Sequence, residues 1–143
     1  MKKVDKLIVM LVDDDEDDRF FIREALEKAV QHVTVVEAED GEALLNLLHD
    51  SDQQKVDEAV SVILLDMNMP RLNGLETVAA IRANPFLAHI PAVMISTTAQ
   101  PELVADAYAK GINSFIKKPS SYADFGRIAE AIRVCFLDVV VNQ

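Results

Sequence analysis

Leu7-Ile8-Val9-Met10-Leu11-Val12-Asp13-Asp14 is an unbroken apolar run of six residues that ends in two acids. A run with no polar residue on either side of the pleat predicts a strand covered on both faces, as in a parallel sheet with helices above and below. The same pattern recurs along the chain. Val33–Val36 is short and β-branched, Val60–Leu65 is apolar and ends in Asp66, Ala92–Ile95 ends at Ser96, and Ser114–Lys117 leads into Lys118-Pro119. Between these runs the apolar residues fall at helical spacing. They are Ile22, Ala25, Leu26, Ala29 and Val30 in the first interval, then Ala43, Leu44, Leu47 and Leu48 behind Gly41. A third helix is predicted near Leu75–Ala83. A fourth starts at Pro101, with Leu103, Val104, Ala107 and Tyr108 inward and Gly111 as its terminator. A fifth runs over Tyr122–Leu137 on the stripe Phe125, Ile128, Ala129, Ile132 and Phe136. Five strand–helix alternations with right-handed crossovers predict an α/β fold, a five-stranded parallel sheet doubly wound by helices on both faces.

The composition agrees with one domain. The 143 residues are half hydrophobic, enough to bury a core without disulfides or structural zinc. The only cysteine, Cys135, is expected to fill space on the last helix's buried stripe. A net charge of −10 opposes non-specific binding to nucleic acid or to an anionic membrane, and favours a cationic ligand or a basic partner face. No apolar run approaches a membrane span or a signal peptide, so a cytoplasmic location is expected. The polar stretch Ser51–Glu58 reads as a surface loop. The tail Leu137–Val141 is apolar enough to cover the sheet end or to enter a dimer contact.

In open parallel sheets chemistry sits beyond the carboxyl ends of the strands. Those ends carry Asp13, Asp14 and Asp66, the hydroxyl of Ser96, and Lys117-Lys118. Carboxylates brought together repel one another unless a cation joins them, and Mg²⁺, a hard ion that takes oxygen ligands, suits three acids. A lysine opposite the acids can pair with one of them at rest and with a phosphoryl oxygen later, and a serine can donate to another. The set describes a carboxylate that accepts a phosphoryl group with metal help.

On these residues the chain resembles the receiver domain of two-component response regulators, over nearly its full length. The likeness rests on Asp13-Asp14 after Leu-Val, on Ile63-Leu64-Leu65-Asp66-Met67-Asn68-Met69-Pro70 with Asn73-Gly74 behind it, on Ile95-Ser96-Thr97, and on Lys118-Pro119. The resemblance implies the flavodoxin-like receiver fold over 1–143, with no output domain, and Asp66 as the phosphoacceptor. It implies Mg²⁺ held by Asp14 directly, by Asp13 directly or through water, by Asp66, and by the backbone carbonyl of Asn68. Ser96 is similar to the family's switch hydroxyl and Phe115 to the aromatic that turns inward with it. Lys118, directly before Pro119, is similar to the family's lysine. Asn68 and Thr98 resemble the pair that tunes dephosphorylation.

The phosphoryl donor so implied is a sensor histidine kinase or phosphotransfer protein, and the output is a protein-binding surface or onward phosphotransfer. The surface would be 100–137, which also offers a route to a homodimer. The acidic start and the loop after Glu58 resemble small receivers paired with bacterial phytochromes.

Plainer readings stand beside these. Asp15, Glu16, Asp17 and Asp18 read as a solvated face, with Asp17 or Asp18 able to cap the first helix. Gly74 reads as a turn residue that uses a positive φ. His32, His49 and His89 share no spacing and read as surface residues. A turnover phosphohydrolase of the haloacid dehalogenase type would need a second acid where Asn68 stands, so no turnover enzyme is expected. A phosphorylation-independent module on the same fold would have little use for the acids and the lysine.

Overall fold

The computed structural model describes residues 7–50 and 60–137. The expected loop over 51–58, and the tail beyond Leu137, lie outside the described residues. In chain order the elements are β1 (Leu7–Val12), α1 (Glu16–Ala29), β2 (Val33–Ala38), α2 (Gly41–Asp50), β3 (Val60–Asp66), α3 (Gly74–Ala83), β4 (Ala92–Ser96), α4 (Pro101–Lys110) and β5 (Ser114–Lys117). A 3-10 turn (Tyr122–Asp124), α5 (Gly126–Ile132) and a wider π turn (Arg133–Leu137) follow. All strand pairings are parallel, in the order β2-β1-β3-β4-β5. This is the doubly wound architecture that the apolar pattern predicts.

Strand alternation splits the core in two. Val9, Leu11, Val62, Leu64, Val93 and Ile95 face α1 and α5, where they pack on Ile22, Leu26, Ile128 and Ile132. Met10, Val12, Ile63, Leu65 and Met94 face α2, α3 and α4, where they meet Leu44, Leu48, Val78, Ile81 and Ala107. Ile63, Leu64 and Leu65 are wholly buried, and truncating any of them to Ala would cost about 2–5 kcal/mol.

The helix stripes are narrower than the sequence pattern suggests. Leu47 is exposed while Leu45 packs on the core, and on α4 only Ala107 is buried while Tyr108 faces out. Both helices lie toward the outer strands, where the sheet covers less of a helix. Cys135 is exposed, because α5 stops at Ile132 and the π turn changes the phase, so that Leu137 returns to the core instead.

Arg82 holds the α3–β4–β5 corner together. Its Nε donates to the Gly111 carbonyl (2.9 Å), Nη1 to the carbonyls of Ala88 (3.0 Å) and Ile90 (2.7 Å), and Nη2 to Asn113 Oδ1 (3.0 Å). Gly111 ends α4 at φ +115°, the left-handed C-cap expected of it.

Candidate functional site

The strand register brings the acids together. Val12 lies beside Leu65, so Asp13 follows at the level of Asp66, and Ser96 lies beside Lys117, one residue before Lys118. Backbone bonds carry the ladder past the strand ends: Asp13 N–H to Ala38 O (3.1 Å), Met67 N–H to Ile95 O (3.1 Å) and Lys118 N–H to Ser96 O (2.7 Å). Asp13, Asp14 and Asp66 each offer a carboxylate oxygen within 4.8 Å of the others. Asp13 and Asp66 are buried and Asp14 is exposed, so the cluster opens to solvent on one side.

Lys118, not Lys117, reaches the acids. Lys117 is exposed, whereas the Lys118 side chain is buried. Its Nζ donates to Asp13 Oδ2 at 2.8 Å and to Asp18 Oδ2 at 2.7 Å, and stands 3.7 Å from Asp66 Oδ1. Burial disfavours its charge, but the hydrogen bonds to Asp13 and Asp18 and the charges of Asp13 and Asp66 outweigh that and raise its pKa. Burial pushes Asp13 up despite its bond to Lys118. Asp66 is raised to about 7, first by burial and then by the Asp13 charge, with the Lys118 charge opposing. Three carboxylates facing one ammonium leave an excess of negative charge. The donor set is all oxygen, open on one side and short of positive charge, which fits a hard divalent cation.

Ser96 is buried at the end of β4. Its Oγ accepts from the Thr98 N–H at 3.2 Å and stands 3.5 Å from Thr98 Oγ1, so Thr98, itself exposed, holds the hydroxyl at rest. Phe115 is half-buried against the α2–α4 half of the core, across the sheet from α5. Asn68 is exposed on the loop after Asp66.

That loop is pinned from three directions. Asn73 and Glu76 form a capping box at the start of α3, with bonds of 2.9 and 3.0 Å. Arg71, at φ +64°, reaches back to Asp40, whose buried carboxylate also caps α2 by accepting the Ala43 N–H at 2.8 Å. Gly74 is required for close approach and not for a positive φ: a Cβ there would lie 2.6 Å from the Asp66 carbonyl and 2.9 Å from Met67 Cα. The positive φ of this turn belongs to Arg71.

Two residues of the acidic run behave otherwise than the solvated-face reading expects. Asp15 is the N-cap of α1 and accepts from the N–H groups of Asp17 and Asp18, the two residues expected to cap. Asp18 turns back to the rim and takes a bond from Lys118. Its position, one helical turn after Asp14, carries that signal once the cap is placed at Asp15.

Comparison with known proteins identifies the family. The family model described as response regulator receiver domain matches residues 9–133. The response regulator Rcp1 of Synechocystis sp. is 26% identical over 133 residues, covering 93% of this chain and 90% of that one. A CheY chemotaxis homolog of Campylobacter jejuni is 34% identical over 111 residues, covering 78% and 80%. Among solved structures, the phosphorylated cyanobacterial phytochrome response regulator RcpA superposes with a TM-score of 0.84 at 27% identity, over 95% of this chain and 97% of that one. The Mn²⁺-bound form of Rcp1 superposes at 0.80 and 26% identity, over 95% and 98%. With five parallel strands, the acids at the sheet's carboxyl edge and a buried lysine facing them, the chain belongs to the response regulator receiver family.

Proposed function

We propose that this receiver accepts a phosphoryl group on Asp66 from a histidine kinase or phosphotransfer protein in a Mg²⁺-dependent reaction, and signals through an altered protein-binding surface or onward transfer. The observation that carries the reading is the position of the Asp66 carboxylate, with oxygens of Asp13 and Asp14 within 4.8 Å and the Lys118 ammonium 3.7 Å away. Asp13, Asp14, Asp66 and the Asn68 carbonyl are the assigned holders of the ion. When bound, Mg²⁺ supplies the positive charge that the three carboxylates and the incoming phosphoryl oxygens lack.

The ionised Asp66 oxygen attacks phosphorus, the P–N bond of the donor phosphohistidine breaks, and its electron pair stays on the imidazole as the aspartyl phosphate forms. Lys118 donates to one phosphoryl oxygen. Ser96 turns from its Thr98 contact to donate to another, and Phe115 follows inward from the face of 100–137. Asn68 and Thr98 flank the path of the water that later hydrolyses the acyl phosphate. The transfer is stoichiometric, one group per chain, and not turnover of a pool of substrates. A phytochrome-linked kinase is the favoured donor, because the matched RcpA structure is described as a phytochrome response regulator.

Incubation with a small acyl phosphate and Mg²⁺ should add the mass of one phosphoryl group, and Asp66→Asn should abolish the gain. Folded native protein of unchanged mass would overturn the reading.

A further inference from the structure

A chain of side chains leads from the acidic rim to the surface between α1 and α5. Lys118 gives two of its three N–H donors to Asp13 and Asp18 and stands beyond hydrogen-bond length from Asp66. Tyr122 sits against the same helix, on Phe21 one turn after Asp18, and desolvation and the Asp18 charge raise its phenol's pKa. The Tyr122 ring stacks on Phe21 at 4.2 Å and 21°, and meets Phe125 edge-on at 5.1 Å. Phe21 in turn meets Phe20 edge-on at 5.1 Å. Phe20 and Tyr122 are 50% and 45% exposed, so the stack ends in solvent.

A phosphoryl group on Asp66 adds charge and oxygens in the space that now separates Asp66 from Lys118. The ammonium is drawn there, and the bond it gives up is the one whose acceptor water can reach. Asp13 has no exposed side-chain surface and belongs to the carboxylate cluster proposed to hold the ion, whereas the Asp18 side chain is 15% exposed and lies outside that cluster. The exchange therefore falls on Asp18.

We propose that Asp18 is the resting anchor of Lys118, released when Asp66 is phosphorylated, and that its release alters the setting of Tyr122 and makes the α1–α5 aromatic face respond to phosphorylation. This rests on the function proposed above and adds a route separate from Ser96 and Phe115. Asp18 acts through Lys118 as a positioning residue. Because it competes with the phosphoryl group for the ammonium and adds negative charge near an anionic donor, removing its charge speeds phosphorylation.

The test labels the two tyrosines, Tyr108 and Tyr122, with 3-fluorotyrosine and assigns them with Tyr108→Phe. Fluorine spectra are recorded with Mg²⁺ alone and after a small acyl phosphate is added, with the mass measured on the same sample. The expected result is a displaced Tyr122 resonance in the phosphorylated native protein beyond any change with Mg²⁺ alone. Asp18→Asn should phosphorylate about 3–10-fold faster, as loss of a partly exposed ion pair allows, and show no displacement on phosphorylation. A merely structural Asp18 would slow phosphorylation when replaced. A mass gain with an unmoved Tyr122 signal, or an Asp18→Asn protein phosphorylated no faster than native, overturns the inference and leaves the proposed function standing. Absence of any mass gain overturns both.

Discussion

Lys118 and Arg82 are two cations drawn into the body of the same protein, and their surroundings differ in kind. Lys118 faces charges: Asp13 and Asp18 at hydrogen-bond length and Asp66 just beyond it. Arg82 faces dipoles, the carbonyls of Gly111, Ala88 and Ile90 and the side-chain oxygen of Asn113. The lysine's pKa is raised by its partners, while burial lowers that of the arginine. Neutral acceptors satisfy the donors of Arg82 and add no charges that compete for it, so its corner has no reason to rearrange. The acids around Lys118 outnumber it, and the surplus can be relieved by a cation or redistributed by a phosphoryl group. A satisfied cation builds structure, and an outnumbered one can do chemistry.

Replacing each cation sharpens the contrast, and the largest effect is expected at the rim. Lys118→Ala strands the buried Asp13 carboxylate, so chemical denaturation without divalent cation should show a loss of about 3–5 kcal/mol together with loss of phosphorylation. Next is Asp66→Asn, which should stabilise the cation-free protein. The folded Asp66 carboxyl, with its pKa raised to about 7, keeps a proton that the unfolded chain releases near 3.8. Stability therefore falls as pH rises between those values and is flat above them. Removing the group should recover up to about 4 kcal/mol at pH 8, with the pH slope reduced.

Arg82→Met leaves carbonyl oxygens of the corner without their donor. It should cost about 2–3 kcal/mol in the same assay while phosphorylation by the small donor stays at the native rate. Smallest is Gly111→Ala, which forces a side chain into φ +115° and against Arg82 at 2.8 Å. It should cost about 1–2 kcal/mol and leave phosphorylation unchanged.

The rim was legible because apolar strands cannot hide a charge in their interior. Asp13, Asp66 and Ser96 stand where an apolar run stops, and the run itself fixes which end of the sheet they occupy. The period of two in β5 lets only one of Lys117 and Lys118 reach the rim, and the family resemblance, with its lysine directly before the proline, selects Lys118. Asp18 was hidden for the opposite reason. In Asp15-Glu16-Asp17-Asp18 every residue is acidic, so composition is silent about which one turns inward, and only the phase of α1, set by the Asp15 cap, decides. Leu47 and Tyr108 fall on apolar stripes yet face out, because periodicity reports the width of an apolar stripe and not the width of the sheet beneath it. Cys135 moved to the surface through a local widening of the helix that leaves no mark in the apolar pattern. Arg82 and Asp40 find partners far along the chain, which no local pattern contains.

The central claim is that the surplus negative charge around Asp66 is the reactive feature of this molecule. It is tested most directly by mapping the phosphoryl group after treatment with a small acyl phosphate, with Mg²⁺ or with a chelator, using reductive trapping of the acyl phosphate and peptide mass spectrometry. The expected result is a single modified residue, Asp66, and modification that depends on the divalent cation. A phosphoryl group on another residue, or on Asp66 to the same extent in chelator, would contradict it.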